Sequence, residues 1–260
     1  MTAAPAQAAA PRERLPLRTH LAIFFRLLVI QSSWNYELLL GTGIGFCVEP
    51  ALRLLPGGVD GPAYREALGR QSQYFNAHPY LAAVAVGALA RAELDGEPAV
   101  RIERFRTALP GPLGSVGDRL VWAAWLPLCS MLALLAFGLG AGPGVVLGIF
   151  LVVYNAGHLA LRAWGLHVGW AHGLRVASAL GNPVLRHGPQ YLGQAAALVG
   201  GAALALAVDR IIGPGRTLFG VVLAGIVVGA VIIARLHGRV EGWRLTIAAL
   251  GIFVLYSIAR

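Results

Sequence analysis

The segment QSSWNYE (31–37) gathers amide, carboxylate and aromatic side chains within a short stretch. Asn35 and Glu37 carry groups that hydrogen-bond sugar hydroxyls, and the face of Trp34 suits the apolar C–H side of a pyranose. The same segment also suits a membrane interface, where Trp34 and Tyr36 would belong to an aromatic belt and Glu37 would pair with an arginine. Ionisable groups inside apolar stretches are candidate functional residues, so a sugar-binding role is one prediction for this segment.

A second polar segment, GPLGSVGD (111–118), stands directly before a long apolar run. Gly111, Gly114 and Gly117 permit unusual backbone dihedral angles and close backbone approach. Backbone that leaves helical geometry at membrane depth must be buried in protein or line a cavity, and transporters build binding sites from such breaks. We predict an embedded break here, with the Asp118 carboxylate beside a substrate path. The alternative is an ordinary loop in which Asp118 caps the next helix.

The segment YNAGHLALRAWG (154–165) places Asn155 and His158 inside a third apolar stretch and is interpreted as a further break. A single histidine in such a stretch more often makes a packing or interhelical hydrogen bond than binds a ligand. The spacing of His and Cys residues favours no metal site, and we predict no cofactor. A lysine-containing phosphate loop and a nucleophile elbow are both missing from the sequence, so an enzyme has little support.

Composition identifies the class of protein that must position these residues. Hydrophobic residues make up 57% of the chain and charged residues 13%, with a mean hydropathy of +0.67. Soluble domains carry about 25% charged residues. The net charge of +9 comes from arginines that lie mostly between apolar runs. That placement favours membrane orientation over a nucleic-acid partner. The chain is therefore predicted to be an integral membrane protein in contact with the lipid bilayer.

Membrane-spanning helices need about 20 mostly apolar residues. The candidate spans are 120–141, 144–161, 190–208, 217–234 and 244–259. The arginine bias of the connections predicts a cytoplasmic N-terminus, and an odd number of spans then predicts an extracytoplasmic C-terminus. The connection 162–189 is assigned to the cytoplasmic side.

The region before the spans is predicted to contain shorter helices with polar breaks. Residues 17–46 read as an interfacial helix followed by a partly inserted one. Asp60 and Pro62 predict the start of a helix by side-chain capping and a proline in the first turn. The apolar segment 79–94 begins at the break containing Pro79 and is too short to cross, which favours a re-entrant helix.

A basic amphipathic helix is predicted at 98–108, with Arg101, Arg104 and Arg106 on its polar face. The complete prediction is an all-α integral membrane protein with about five transmembrane helices plus N-terminal amphipathic and re-entrant or broken helices. Its regions are a disordered cytosolic tail (1–16), the amphipathic and re-entrant region (17–119) and the transmembrane region (120–260).

Four motif segments together resemble a known family. They are IQSSWNYELLLGTGIGF (30–46), RQSQYFNAHPYLA (70–82), LPGPLGSVGDRLVWA (109–123) and YNAGHLALRAWGLHVGW (154–170). Their content and order resemble the IID membrane subunit of mannose/fructose/sorbose-type phosphotransferase systems (PTS), over about residues 20–180.

The resemblance implies a function in the bacterial cytoplasmic (inner) membrane. A IID subunit pairs with a IIC subunit, and the complex, a trimer of IIC–IID pairs, translocates a hexose. Soluble IIA and IIB domains phosphorylate the sugar, and IID itself carries no phosphorylated or catalytic residue. The resemblance implies that the substrate-binding residues are Trp34, Asn35, Glu37, Asn76 and Asp118, and that the structural breaks are at Gly111, Gly114, Gly117 and Pro79.

Two departures from the family pattern support an alternative. The family has methionine or a similar residue where this chain has Pro110, and proline where this chain has Arg119. Arg119 stands beside Asp118 and is placed to neutralise that carboxylate. Only Asp209–Thr217 separates two predicted spans where the family has a longer insertion. The alternative is a regulatory or scaffold relative that assembles with IIC without transporting sugar.

Overall fold

The computed structural model describes residues 15–212, and helices are its regular elements. The helices are α1 Leu17–Leu28, α2 Gly41–Leu52, α3 Pro62–Gln71, α4 Ala82–Leu94, α5 Ala99–Ala108, α6 Pro110–Gly117, α7 Leu126–Gly138, α8 Pro143–His172, α9 Ala177–Leu180 and α10 Pro183–Ile212. Across this described part of the chain, β pairing is limited to two isolated bridges. The predicted all-α class is confirmed.

Within residues 15–212, three helical stretches are long and apolar enough to cross a membrane: Ala99–Gly138, Pro143–Arg175 and Leu185–Ile211. They contain most or all of the first three predicted spans. The predicted spans 217–234 and 244–259 lie outside the described residues, as do positions 1–14 of the predicted tail.

The predicted connection 162–189 is wrong in its first part, because α8 continues to His172. Arg162 is 3% exposed and its Nε donates to the Leu27 carbonyl at 3.1 Å. The charge is therefore satisfied inside the protein, and the helix does not need to end there. Residues 154–165 also lie within α8, so the predicted break in that segment is wrong. The Asn155 amide donates to the Leu151 carbonyl at 2.6 Å, which satisfies it within the helix.

The predicted unwound break at 111–118 is also wrong. Gly111, Gly114 and Gly117 belong to α6, and Asp118 begins a π-helix that continues directly from it. Pro110 occupies the first turn of α6, where its missing N–H is not needed. Asp118 makes no capping hydrogen bond, because it lies inside a continuous helix rather than at a helix start.

The irregularity in this helix lies after the glycines, in the π-helix Asp118–Trp125. Pro127 follows in the first turn of α7 and has no N–H to donate to a carbonyl of the preceding turn. The Leu126 N–H instead bonds the Val121 carbonyl five residues earlier, which is the π pattern. The helix also runs across position 119, where the sequence analysis separates two regions.

Helix α4 forms the centre of the core, and every residue in it except Arg91 is buried. Its 13 residues give a length of about 20 Å, short of the ~30 Å hydrocarbon layer of a bilayer. It packs against α8 with the two backbones in contact. A Cβ placed on Gly87 would lie 2.4 Å from the Leu166 carbonyl oxygen, and one on Gly169 would lie 2.2 Å from that of Val84. Small residues commonly allow such close pairs in membranes.

Ion pairs and a hydrogen bond join the first three helices to one another. Glu49 on α2 accepts from Arg26 at 2.7 Å, from Arg53 at 2.6 Å and from Tyr64 at 2.8 Å. Burial by itself would raise the pKa of Glu49, and these hydrogen bonds outweigh burial, so the pKa lies below its ordinary value. Three helices therefore meet at this carboxylate.

The start of α3 has Pro62 in its first turn as predicted, but Gly61 is the N-cap and Asp60 does not cap the helix. The basic helix predicted at 98–108 is confirmed as α5. One residue on its polar face differs from the prediction, because Arg106 is buried while Arg101 and Arg104 are exposed.

Candidate functional site

The loop 31–40 and the connection 72–81 lie side by side. The Leu40 N–H donates to the Phe75 carbonyl at 2.9 Å, and the Phe75 N–H donates to the Leu38 carbonyl at 3.1 Å. Backbone hydrogen bonds thus fix the segment that contains Trp34 and Glu37 against the segment that contains Asn76. These two segments are far apart in sequence, and the pairing places two of the predicted site segments together.

Asn35 shapes the first of these loops. Its Oδ1 accepts from the Glu37 N–H at 3.0 Å and from the Leu38 N–H at 2.9 Å, as an Asx-type turn does. The turn leaves Trp34 and Tyr36 exposed in an edge-to-face pair with ring centroids 4.9 Å apart. Glu37 is also exposed. Asn35 therefore supports the loop, while its neighbours are open to a ligand or partner.

Through His78, the connection 72–81 contacts α6, which contains the glycines of the predicted segment 111–118. Pro79 lies in this connection, outside the helices, and Asn76 is exposed. A Cβ placed on Gly117 would lie 2.3 Å from the Cβ of His78, so the glycine allows direct contact between α6 and the connection. Asp118, the next residue, is exposed.

Arg119 does not neutralise Asp118. The Nε of Arg119 donates to the Ser115 carbonyl at 3.1 Å, one turn earlier in the helix. Within residues 15–212 no salt bridge joins Arg119 to Asp118. The carboxylate remains available at the surface.

His78 is 2% exposed and packs between two aromatic rings. Ring centroids lie 5.0 Å away for Tyr80 and 5.1 Å away for Trp122. Its Nδ1 accepts from the Tyr80 N–H at 3.2 Å, while its Nε2 has no partner among the described residues. Burial, together with the charge of Arg162, lowers the pKa of His78 to about 4, so the ring is neutral at physiological pH.

Sequence analysis missed a polar network that extends from this connection into α8. The hydroxyls of Tyr80 and Tyr154 are 2.7 Å apart, and Arg162 lies over the Tyr80 ring, 4.2 Å from its centroid. Arg162 Nη1 is 2.7 Å from His158 Nδ1, and His158 Nε2 is 2.9 Å from Asn155 Oδ1. Because arginine only donates, Nδ1 of His158 accepts and Nε2 carries the proton.

A sequence signal for this network exists in the spacing of Tyr154, His158 and Arg162. Residues four apart lie on one helical face, and this spacing predicts a continuous polar stripe. The interpretation of Asn155 and His158 as part of a helix break overlooks this stripe. Tyr80 could not be linked to them from sequence, because it lies more than 70 residues earlier, outside the helix that carries them.

A cavity of about 540 Å³ lies beside this network, between the π-helix, α8 and α10. Its walls are mainly apolar and include Val121, Trp125, Leu161, Trp164, Leu185 and Leu192. Tyr80, His158, Asn182 and Tyr191 contribute its few polar groups. A sugar presents several hydroxyls that each lose a hydrogen bond when buried without a partner. The cavity is therefore a poor sugar site, unlike the exposed polar segments nearby.

Comparisons with known proteins agree on one family. The family model described as PTS system mannose/fructose/sorbose family IID component matches residues 14–212. The PTS system mannose-specific EIID component of Escherichia coli (strain K12) is 29% identical over 175 residues. The match covers 63% of this chain and 59% of that protein.

Two further relatives come from other bacteria. The fructose permease IID component of Bacillus subtilis (strain 168) is 32% identical over 193 residues, covering 70% of this chain and 67% of the relative. The PTS system sorbose-specific EIID component of Klebsiella pneumoniae is 34% identical over 176 residues, covering 64% and 61%.

Solved structures share the fold. A chain in the "CryoEM Structure of Mannose Transporter ManYZ and Microcin E492 (MceA) complex" has 20% identity and a TM-score of 0.56, covering 95% of this chain and 98% of its own. A chain in "Structure of membrane protein" gives a TM-score of 0.71 at the same identity and coverage. The relatives and the long apolar helices identify a bacterial inner-membrane protein. The match over residues 14–212 shows that the chain belongs to the mannose/fructose/sorbose family of PTS IID components.

Proposed function

We propose that this chain is the sugar-translocating IID subunit of a mannose-family phosphotransferase permease. In this scheme it acts with a IIC partner to import a hexose, and soluble IIA and IIB domains phosphorylate the sugar. The observation that carries the proposal is the convergence of three polar segments, through the Leu38–Phe75 backbone pairing and the contact of His78 with Gly117.

Within that region, Trp34, Glu37, Asn76 and Asp118 contact the sugar directly. All of them are exposed in the isolated chain, so they are accessible to a ligand held between IID and its partner. Asn35 supports the site by holding the turn that presents Trp34 and Glu37. Amides and carboxylates pair with hydroxyls, and the Trp34 ring covers the apolar face of the sugar.

The IIC partner completes this site, and the assembly is a trimer of IIC–IID pairs. The N-terminus lies in the cytoplasm and the C-terminus lies outside, as the arginine bias of the connections favours. Reporter fusions at the two ends test the topology, and activity on the same side of the membrane at both ends would contradict it.

The function is tested by purifying the chain with and without a IIC protein from the same genome. We expect a monodisperse complex with IIC that binds radiolabelled mannose, fructose or sorbose, and polydisperse material without IIC. A complex that assembles and binds none of these sugars would favour the regulatory or scaffold alternative. A chain that is stable and monodisperse alone, and does not bind IIC, would contradict both.

A further inference from the structure

Arg106 on α5 is a buried charged residue that the sugar site does not explain. It is 6% exposed, whereas Arg101 and Arg104 on the same helix are exposed. Within residues 15–212 it has no carboxylate partner. A buried charge is costly unless other groups satisfy it, so the contacts of its guanidinium indicate what it does.

Among the residues that the structure describes, the guanidinium donates to backbone carbonyls of one short segment. Nη1 bonds the Tyr74 carbonyl at 2.9 Å, and Nη2 bonds the carbonyls of Gln71, at 2.9 Å, and of Gln73. Its central carbon lies 5.3 Å from the centroid of the Phe75 ring. Helix α3 ends at Gln71, where carbonyls lose their helical partners. Arg106 supplies donors to the chain as it leaves this helix.

The residues that carry these carbonyls come shortly before Asn76 and His78 in the chain. The segment they belong to pairs with the loop of Trp34 and Glu37 through Phe75, and it contacts α6 through His78 and Gly117. We infer that Arg106 is a positioning residue, which sets sugar affinity by holding residues 72–81 in register with the other two segments. This inference rests on the proposed function.

Other contacts already join the helices around this segment. Arg70 and Gln71 bond Glu93 at 2.8 and 2.6 Å and so fasten α3 to α4. Loss of the Arg106 contacts therefore loosens the connection without separating the helices. A planar guanidinium also presents several donors in a fixed fork, which the compact ammonium of lysine does not reproduce.

The test uses the complete chain in complex with IIC. Arg106→Gln and Arg106→Lys are compared with Arg104→Gln, the exposed control on the same helix. Uptake of radiolabelled mannose, or of whichever of the three sugars the wild-type complex takes up, gives the apparent KM and the maximal rate. Hydrogen–deuterium exchange reports separately on residues 72–81.

We expect Arg106→Gln to raise the apparent KM about tenfold and to change the maximal rate less than about twofold. Exchange should become faster in residues 72–81 and stay unchanged in α3 and α4. Arg106→Lys should fall between wild type and Arg106→Gln, and Arg104→Gln should match wild type.

A wild-type KM in Arg106→Gln would overturn the inference, even if less complex is recovered, because that pattern shows a role in stability alone. If the wild-type complex binds no sugar, the proposed function fails instead. The exchange measurement still tests whether Arg106 holds the connection. Unchanged exchange in residues 72–81 of Arg106→Gln would refute that role.

Discussion

Gly117 packs directly against the imidazole of His78: a Cβ on the glycine would lie 2.3 Å from Cβ and 2.4 Å from Cγ of the histidine. Valine at position 117 should therefore push the connection away from α6, with an overpacking cost of about 1–3 kcal/mol. We expect Gly117→Val to lower both the thermal stability of the IIC–IID complex and its sugar uptake.

Gly114 is the matched control for this prediction. It lies in the same helix, and no neighbouring atom of the described residues lies within 4 Å of its Cβ position. Gly114→Ala should leave uptake unchanged and keep or slightly raise stability, because alanine favours a helix by about 1 kcal/mol over glycine. Equal effects of Gly117→Val and Gly114→Ala would show that the contact with His78 is unimportant.

Gly169 should be essential for packing between α4 and α8. A Cβ there would lie 2.2 Å from the Val84 carbonyl oxygen and 2.9 Å from the Ala88 nitrogen, so the backbones must separate to admit any side chain. We expect Gly169→Val to abolish recovery of folded protein, as measured by size-exclusion chromatography in detergent. Gly148 lies in the same helix with no atom of residues 15–212 near its Cβ position, so Gly148→Ala should behave as wild type. A monodisperse Gly169→Val protein would contradict this packing.

The buried neutral state of His78 predicts a dependence of stability on pH. Its pKa is lowered from 6.5 to about 4 in the folded protein, so between these values the unfolded chain takes up a proton that the folded protein does not. The free energy of unfolding should therefore fall as pH decreases from 6.5 towards about 4. Below about pH 4, protonation of His78 should lower it no further.

Thermal unfolding of the complex across this pH range measures the effect. His78→Gln cannot titrate, so its midpoint should fall less steeply with acidification than that of wild type. Parallel pH profiles for the two proteins would assign the pH dependence to other groups.

Asp118→Asn tests the proposed sugar contact. The substitution keeps the size of the side chain and removes its charge, and a lost hydrogen bond to a charged group weakens binding by about 1.5–3 kcal/mol. Equilibrium binding of radiolabelled sugar to the complex measures this loss. Asp60→Asn is the control, since Asp60 is exposed and caps no helix. Unchanged affinity in Asp118→Asn would remove Asp118 from the site.

The sequence by itself determined the membrane class, the helical content and the polar segments that identify the family. Those properties follow from local composition and from residues close together in the chain. The amphipathic helix α5 and the proline in the first turn of α3 were likewise predictable, because both depend on a few neighbouring residues.

Tertiary contacts decided the rest. Glycines 111–117 and the polar residues 154–165 indicate breaks, yet both segments are helical. In the first segment Gly117 packs directly against His78, and in the second the Asn155 amide bonds the Leu151 carbonyl one turn earlier. The burial of Arg106, the bond from Arg162 to the Leu27 carbonyl and the contact of Arg162 with the Tyr80 ring depend on groups from distant parts of the chain. Such partners come together only when the chain packs, so no local pattern specifies them.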